Sequence, residues 1–175
     1  EPNGESADRL ARNAERNGGG RNGPGGRIDL RRAGVGDASA TLTFYRSTFS
    51  KCSAFDRESA TRWGATVAAT ESVPVRRLDD LVEGVGDPIA GDADPVPPPD
   101  AIKVDVEGRE GAVLRGAAET LAAHRPLLVV EVHEAGAAEG AAAGVEAADL
   151  REWLAARGYA VEEADDVWIC RASGE

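Results

Sequence analysis

Residues 101–132 set an apolar strand, an amphipathic helix and a second apolar strand end to end, with almost no linker between them. Ala101 to Val106 has the two-residue alternation of a strand. Glu110 to His124 carries Val113, Leu114, Ala117, Ala118 and Leu121 on one helical side, and Leu127 to Val132 is nearly continuous in apolar residues. A strand, a helix and a strand of these lengths close as a right-handed crossover that makes the two strands parallel neighbours. A strand as apolar as Leu127 to Val132 must be covered on both faces, so the sheet needs helices on each side. The prediction is a doubly wound, mostly parallel α/β sheet, whose ligands bind at the carboxyl ends of the strands.

The flanking sequence fits one domain over residues 1–175, a length that can bury a real core. A helix is expected over Glu5 to Asn17, where Leu10 and Ala14 share a face, and it should stop at Gly18. Gly18 to Gly26 is too rich in glycine for a regular element and is expected to be a loop. Two strands are predicted at Ile28 to Arg32 and Thr41 to Tyr45, joined by a turn in Gly34 to Ala40. Arg46 to Glu71 reads as an irregular polar excursion, suited to substrate contacts. Val73 to Val75 is a short extended piece, Leu78 to Val82 one helical turn, and Gly84 to Asp100 a loop. Residues 135–148 are almost all Ala, Gly and Glu and specify little. A last helix, Ala148 to Arg157, is stopped by Gly158, and Ala160 to Glu163 with Val167 to Arg171 should form an antiparallel hairpin at the sheet edge.

Charge narrows the choice of partners. Twenty basic against thirty-one acidic residues leave a net charge of −11, and only Lys51 and Lys103 are lysines. Without a basic stripe or interleaved aromatics, nucleic acid is not an expected partner. An acidic, arginine-dominated surface suits a soluble protein in a salty cytoplasm, where carboxylates stay hydrated and their repulsion is screened. No apolar run reaches the roughly 20 residues that span a bilayer, so no membrane is expected and a cytoplasmic location is. Cys52 and Cys170 lack metal-type spacing and are expected as free thiols. The chain begins at Glu1 and holds no methionine, so the expectation is a domain truncated at its N-terminus.

The chemistry concentrates at two strand ends. In IKVDVEGRE, residues 102–110, alternation puts Lys103, Asp105 and Glu107 on one side of the strand. Three charges on one face are costly to bury unless they are paired or employed. Lys103 can pair with its carboxylate neighbours, and Glu107 can place its charge at the start of the helix. Asp105 stands nearest the carboxyl end, where the fold takes its ligands. In LLVVEVHE, residues 127–134, Glu131 and His133 lie two apart on one face. If the strands are neighbours, Asp105, Glu131 and His133 meet at one rim, as a general-base arrangement or as an oxygen-rich metal site.

The run DAIKVDVEGREGAVLRGAAETLAAHRPLLVVEVH, residues 100–133, resembles the most recognisable block of the FkbM-type methyltransferases. VPVRRLDDL (residues 73–81), EPNGESADRLARNAERNG (1–18) and GVGDASATLTFY (34–45) are similar to further segments of that family, in the family's order. The resemblance implies a Rossmann-like class I methyltransferase sheet whose first strands and glycine loop lie upstream of residue 1. It implies methyl transfer from S-adenosylmethionine to a hydroxyl, on a sugar, a glycan or a natural-product scaffold. The matching residues are then Glu1 for the ribose hydroxyls, and Val35, Gly36 and Asp37 for the adenine wall. Asp105 and His133 are the catalytic candidates. Some sugar O-methyltransferases of this fold hold Mg²⁺ at these strand ends, which by analogy makes Asp105, Glu131 and His133 a metal site. The alternative is an inactive remnant kept as a binding module, or a truncated gene product. A phosphate-receiver domain, also acidic and doubly wound, would need its lysine after the reactive Asp, whereas Lys103 precedes Asp105.

Overall fold

The computed structural model describes residues 1–19, 28–85, 95–132 and 147–174. Its contacts divide the chain into two compact units. The described residues of Glu1–Gly34 and Ala40–Val75 form the first, and those of Val35–Ser39, Arg76–Gly86 and Asp94–Glu175 form the second.

In the first unit, helix α1 runs from Gly4 to Arg16. Its start is fixed by the buried Asn3, whose side-chain oxygen accepts hydrogen bonds from the amides of Glu5 (3.1 Å) and Ser6 (3.4 Å). Arg46 reaches Glu5 on this helix (2.6 Å) and lies 3.8 Å from Glu71. Strands β1 (Gly34–Val35), β2 (Ala40–Ser47) and β3 (Val67–Arg76) make a sheet in the order β1-β3-β2, with β2 and β3 antiparallel from Ala40 opposite Val75 to Ser47 opposite Val67.

Two sequence expectations change here. Ile28 to Arg32 is not a strand: among the described residues the first strand after α1 is Gly34–Val35, and Arg31 pairs with Asp29 within the segment (3.3 Å). The irregular excursion is also shorter than expected: β2 continues to Ser47 and β3 begins at Val67, so Val73 to Val75 is the end of a ten-residue strand. Thr41 and Thr43 alternate with Leu42 and Phe44 along β2, whereas β3 carries the polar run Thr70-Glu71-Ser72, which reads as irregular in the sequence although exposure alternates along it as in a strand. Between the strands, α2 (Arg57–Ala60) is capped by Asp56 through the amide of Ser59 (2.7 Å). Trp63, 77% exposed, sits in the left-handed region (φ 56°), its ring edge-on to Phe49 at 6.0 Å.

In the second unit, α3 spans Leu78–Glu83, β4 Ala101–Val104, α4 Glu110–Arg115, α5 Ala118–His124 and β5 Leu127–Glu131. Helix α6 (Ala147–Ala155) and strands β6 (Tyr159–Ala164) and β7 (Val167–Ala172) follow. The sheet order is β4-β5-β7-β6. β4 and β5 are parallel, as the crossover requires, with Lys103 opposite Val129. β7 is antiparallel to both β5 and β6, and the hairpin puts β6 at the edge. The fold is thus α/β with mixed sheets: among the described strands of this sheet, parallel pairing is confined to β4 and β5, fewer than the mostly parallel expectation. The core lies between sheet and helices, around Leu114 and Leu121 on one side of the crossover and Leu128, Leu154 and Trp168 beside them.

The predicted helix 110–124 is broken in two at Gly116 and Ala117. The periodicity is right, since Val113, Leu114, Ala117 and Leu121 are all buried. The break comes from contact elsewhere: a Cβ on Gly116 would fall on the carbonyl oxygen of Gly36, and the Gly116 carbonyl accepts from the amide of Asp79 (3.0 Å) rather than continuing the helix.

At the far end of α5, Arg125 is left-handed (φ 52°) and closes the helix. Its guanidinium donates to the carbonyls of Arg157 (2.8 Å), Gly158 (2.9 Å) and Ser173 (3.3 Å), and lies over the Tyr159 ring at 5.2 Å.

Candidate functional site

The carboxyl ends of β4 and β5 carry the rim that the sequence singles out. Parallel register sets Lys103 beside Val129, and Glu131, two residues further along β5, is on the same face. Lys103 Nζ donates to Asp105 Oδ2 at 2.6 Å and lies 3.6 Å from Glu131 Oε2. One ammonium thus joins two carboxylates from neighbouring strands. The bond to Asp105, with the attraction of both carboxylates, holds the lysine above its ordinary value against the opposing cost of desolvation.

The side chains of Lys103 and Asp105 are 58% and 38% exposed, so their charges do not carry the burial cost expected of a strand face. β4 ends at Val104, and Asp105 stands just past it. Glu107 does not continue the alternation, because it is left-handed (φ 56°), as is Gly108 (φ 96°). These two residues swing the chain from the strand into α4, and the amide of Gly108 donates to the buried Glu110 (2.9 Å). A non-glycine residue in this conformation is strained, and such strain collects at functional turns. His133 and Glu134 lie outside the described residues, so of the expected rim the structure brings together Asp105 and Glu131, through Lys103.

The second group is the turn Val35–Ser39. The Gly36 amide donates to the Arg76 carbonyl (3.0 Å), Asp37 lies 3.7 Å from Arg115, and Ser39 donates to Asp80 (2.9 Å). Gly36 is buried; Asp37 is exposed. In the first unit Glu1, also exposed, accepts from the amide of Asn3 (2.8 Å), which holds its carboxylate at the mouth of α1.

One buried residue escaped the sequence reading. Asp79, whose side chain is 1% exposed, accepts from the amide and hydroxyl of Thr120 (both 2.8 Å), from the amide of Glu119 (3.2 Å) and from Arg77 (2.8 Å). It satisfies the amides that open α5, to which α3 is thereby tied. Leu78–Val82 holds two adjacent acids, Asp79 and Asp80, and nothing local marks the first, because the amides and hydroxyl it accepts from lie some forty residues away.

A model of the methyltransferase FkbM domain matches residues 1–161. The chain belongs to the FkbM methyltransferase family. Its structure is similar to that of the methyltransferase FkbM from Methylobacillus flagellatus KT, with a TM-score of 0.55 and 18% sequence identity, over 97% of this chain and 34% of that one. At that identity the likeness concerns the fold, and this FkbM chain spans about a third of the length of the crystallised one. No curated protein matches it in sequence. Among the described residues of the FkbM chain no helix is long and apolar enough to cross a membrane.

A divalent cation does not fit between Asp105 and Glu131 as they stand, because the Lys103 ammonium is already there. An ion of charge +2 would have to displace that ammonium from its place 2.6 Å from Asp105 and 3.6 Å from Glu131. Among the described residues no three or more His, Cys, Asp or Glu side chains gather as metal ligands.

Proposed function

We propose that this FkbM-family domain, over residues 1–175, takes part in S-adenosylmethionine-dependent O-methylation of a hydroxyl on a sugar, a glycan or a natural-product scaffold. The observation that carries the reading is the Asp105 carboxylate, exposed just beyond the carboxyl end of β4 and held from one side by Lys103. A Rossmann-like sheet of the class I type is part of the proposal, and the parallel β4–β5 crossover supports it.

When bound, S-adenosylmethionine supplies an electrophilic methyl group on a sulfonium. Glu1 would accept hydrogen bonds from its ribose hydroxyls, as an exposed carboxylate can. Val35, Gly36 and Asp37 would stand against the adenine, on a turn whose backbone is fixed from below by Arg76 and Gly116. Asp105 would take the proton of the acceptor hydroxyl as its oxygen is alkylated, and Glu131 would keep Lys103 beside it. His133 is the other candidate for that proton. Most of the acceleration in such a reaction comes from holding the two reactants in contact geometry.

The test uses the full-length protein, labelled cofactor and a panel of hydroxylated acceptors, read by mass spectrometry. Transfer of one methyl group to oxygen supports the proposal. Methyl transfer to nitrogen or carbon acceptors only would replace it.

A further inference from the structure

We propose that Lys103 takes the place of a divalent cation between Asp105 and Glu131, and that it is the positioning residue that aims Asp105 at the acceptor. The second half rests on the reading of Asp105 given above; the first does not.

Two carboxylates at neighbouring strand ends repel one another unless a cation stands between them. Here the cation is covalently part of the sheet: Lys103 rises from β4 on the same face as Glu131 of β5, with its nitrogen 2.6 Å from Asp105 and 3.6 Å from Glu131. An ammonium offers three directed hydrogens, and two of them can meet these carboxylates. Asp105 is engaged through Oδ2. Among the described residues no hydrogen bond is made to Oδ1, which is therefore the oxygen placed to receive a proton from a hydroxyl. A metal would take both carboxylates as ligands and engage them more fully. A lysine neutralises charge while leaving one oxygen of Asp105 basic and accessible.

The experiment uses the full-length protein and four variants, Lys103→Met, Lys103→Arg, Asp105→Asn and Lys103→Met combined with Asp105→Asn. Mn²⁺ serves as the probe, titrated by calorimetry and by paramagnetic resonance, alongside turnover in the presence of chelator. Wild type should show no saturable Mn²⁺ binding and keep its turnover in chelator. Lys103→Met should lower kcat on the order of tenfold to a hundredfold with acceptor KM and cofactor affinity little changed, as loss of a transition-state contact does. Lys103→Arg should recover most of that loss. Lys103→Met should also acquire Mn²⁺ binding, since the ammonium that stands between Asp105 and Glu131 is then gone, and the double variant should lose it again. Saturable Mn²⁺ binding by wild type, or turnover lost in chelator and restored by Mg²⁺, overturns the inference. So does a Lys103→Met enzyme with wild-type kcat. If the Mn²⁺ results hold but Asp105→Asn alone turns over normally, the cation role stands and the reading of Asp105 fails.

Discussion

Gly116 lies so close to Gly36 that a methyl group on the first would occupy the carbonyl oxygen of the second. Gly116 itself has ordinary right-handed helical angles, so it is glycine for closeness and not for conformational freedom. Gly116→Ala should therefore force the turn at Gly36 outward and destabilise the fold by about 1–3 kcal/mol, the usual cost of overpacking. Urea unfolding measures the stability, and cofactor titration should show weakened binding if Val35 to Asp37 form the adenine wall. Unchanged stability would show that the helix shifts freely.

Asp79 gives a second expectation. Removing it leaves two amides and a hydroxyl at the start of α5, and Arg77, without their shared acceptor. Asp79→Ala should cost on the order of 3 kcal/mol, in the range for breaking a buried charged partner. Thr120→Val, which removes only the hydroxyl, should cost about 1 kcal/mol. Equal losses for the two variants would mean that the hydroxyl is the main contact.

Alkaline pH supplies a third. Burial pushes the Cys170 thiol up from its ordinary 9.0 to about 11, and burial also raises Tyr159. In both the neutral, protonated form is the one the fold prefers, so the folded state holds its proton more tightly. The contribution is complete below pH 9 and is lost as pH rises towards 11. For Cys170 it amounts to about 2–3 kcal/mol. Denaturant midpoints measured between pH 8 and 11 should fall along this curve, and Cys170→Ala should flatten it. A midpoint that stays level to pH 11 in wild type contradicts the assignment.

Salt should stabilise the protein. A net charge of −11 on 175 residues repels itself at low ionic strength, while the exposed ion pairs that salt weakens contribute little. Raising KCl from low concentration to about 1 M, where the screening length shrinks to ~3 Å, should raise Tm by several degrees in calorimetry. A falling Tm would show that exposed ion pairs such as Arg171–Glu162 outweigh the repulsion.

The parts of this fold legible in the sequence are those set by local pattern. The β4-to-β5 crossover, the α1 helix and the terminal hairpin were read within a few residues, because their apolar spacing reports the surface they bury. What pattern cannot report is a partner distant in the chain. The division of the long helix at Gly116 depends on Gly36, and the worth of Asp79 depends on Thr120, 41 residues later. At the rim, sequence points to Lys103, Asp105 and Glu131, but alternation extends the strand to Val106, with Glu107 on the side of Lys103 and Asp105, when it ends at Val104. Only the register of β4 on β5 shows that the lysine stands between the carboxylates.

Arg125 binds three carbonyls that follow it by 32, 33 and 48 residues. Through it the C-terminal end of α6, the turn into β6 and the residue after β7 share a single anchor, so none of them can open without breaking its bonds. Their amide protons should exchange with solvent at one common rate, as a cooperative block does. Trypsin, which does not cut between Arg125 and Pro126, would reach the Arg157–Gly158 bond only after this anchor lets go of the Arg157 carbonyl.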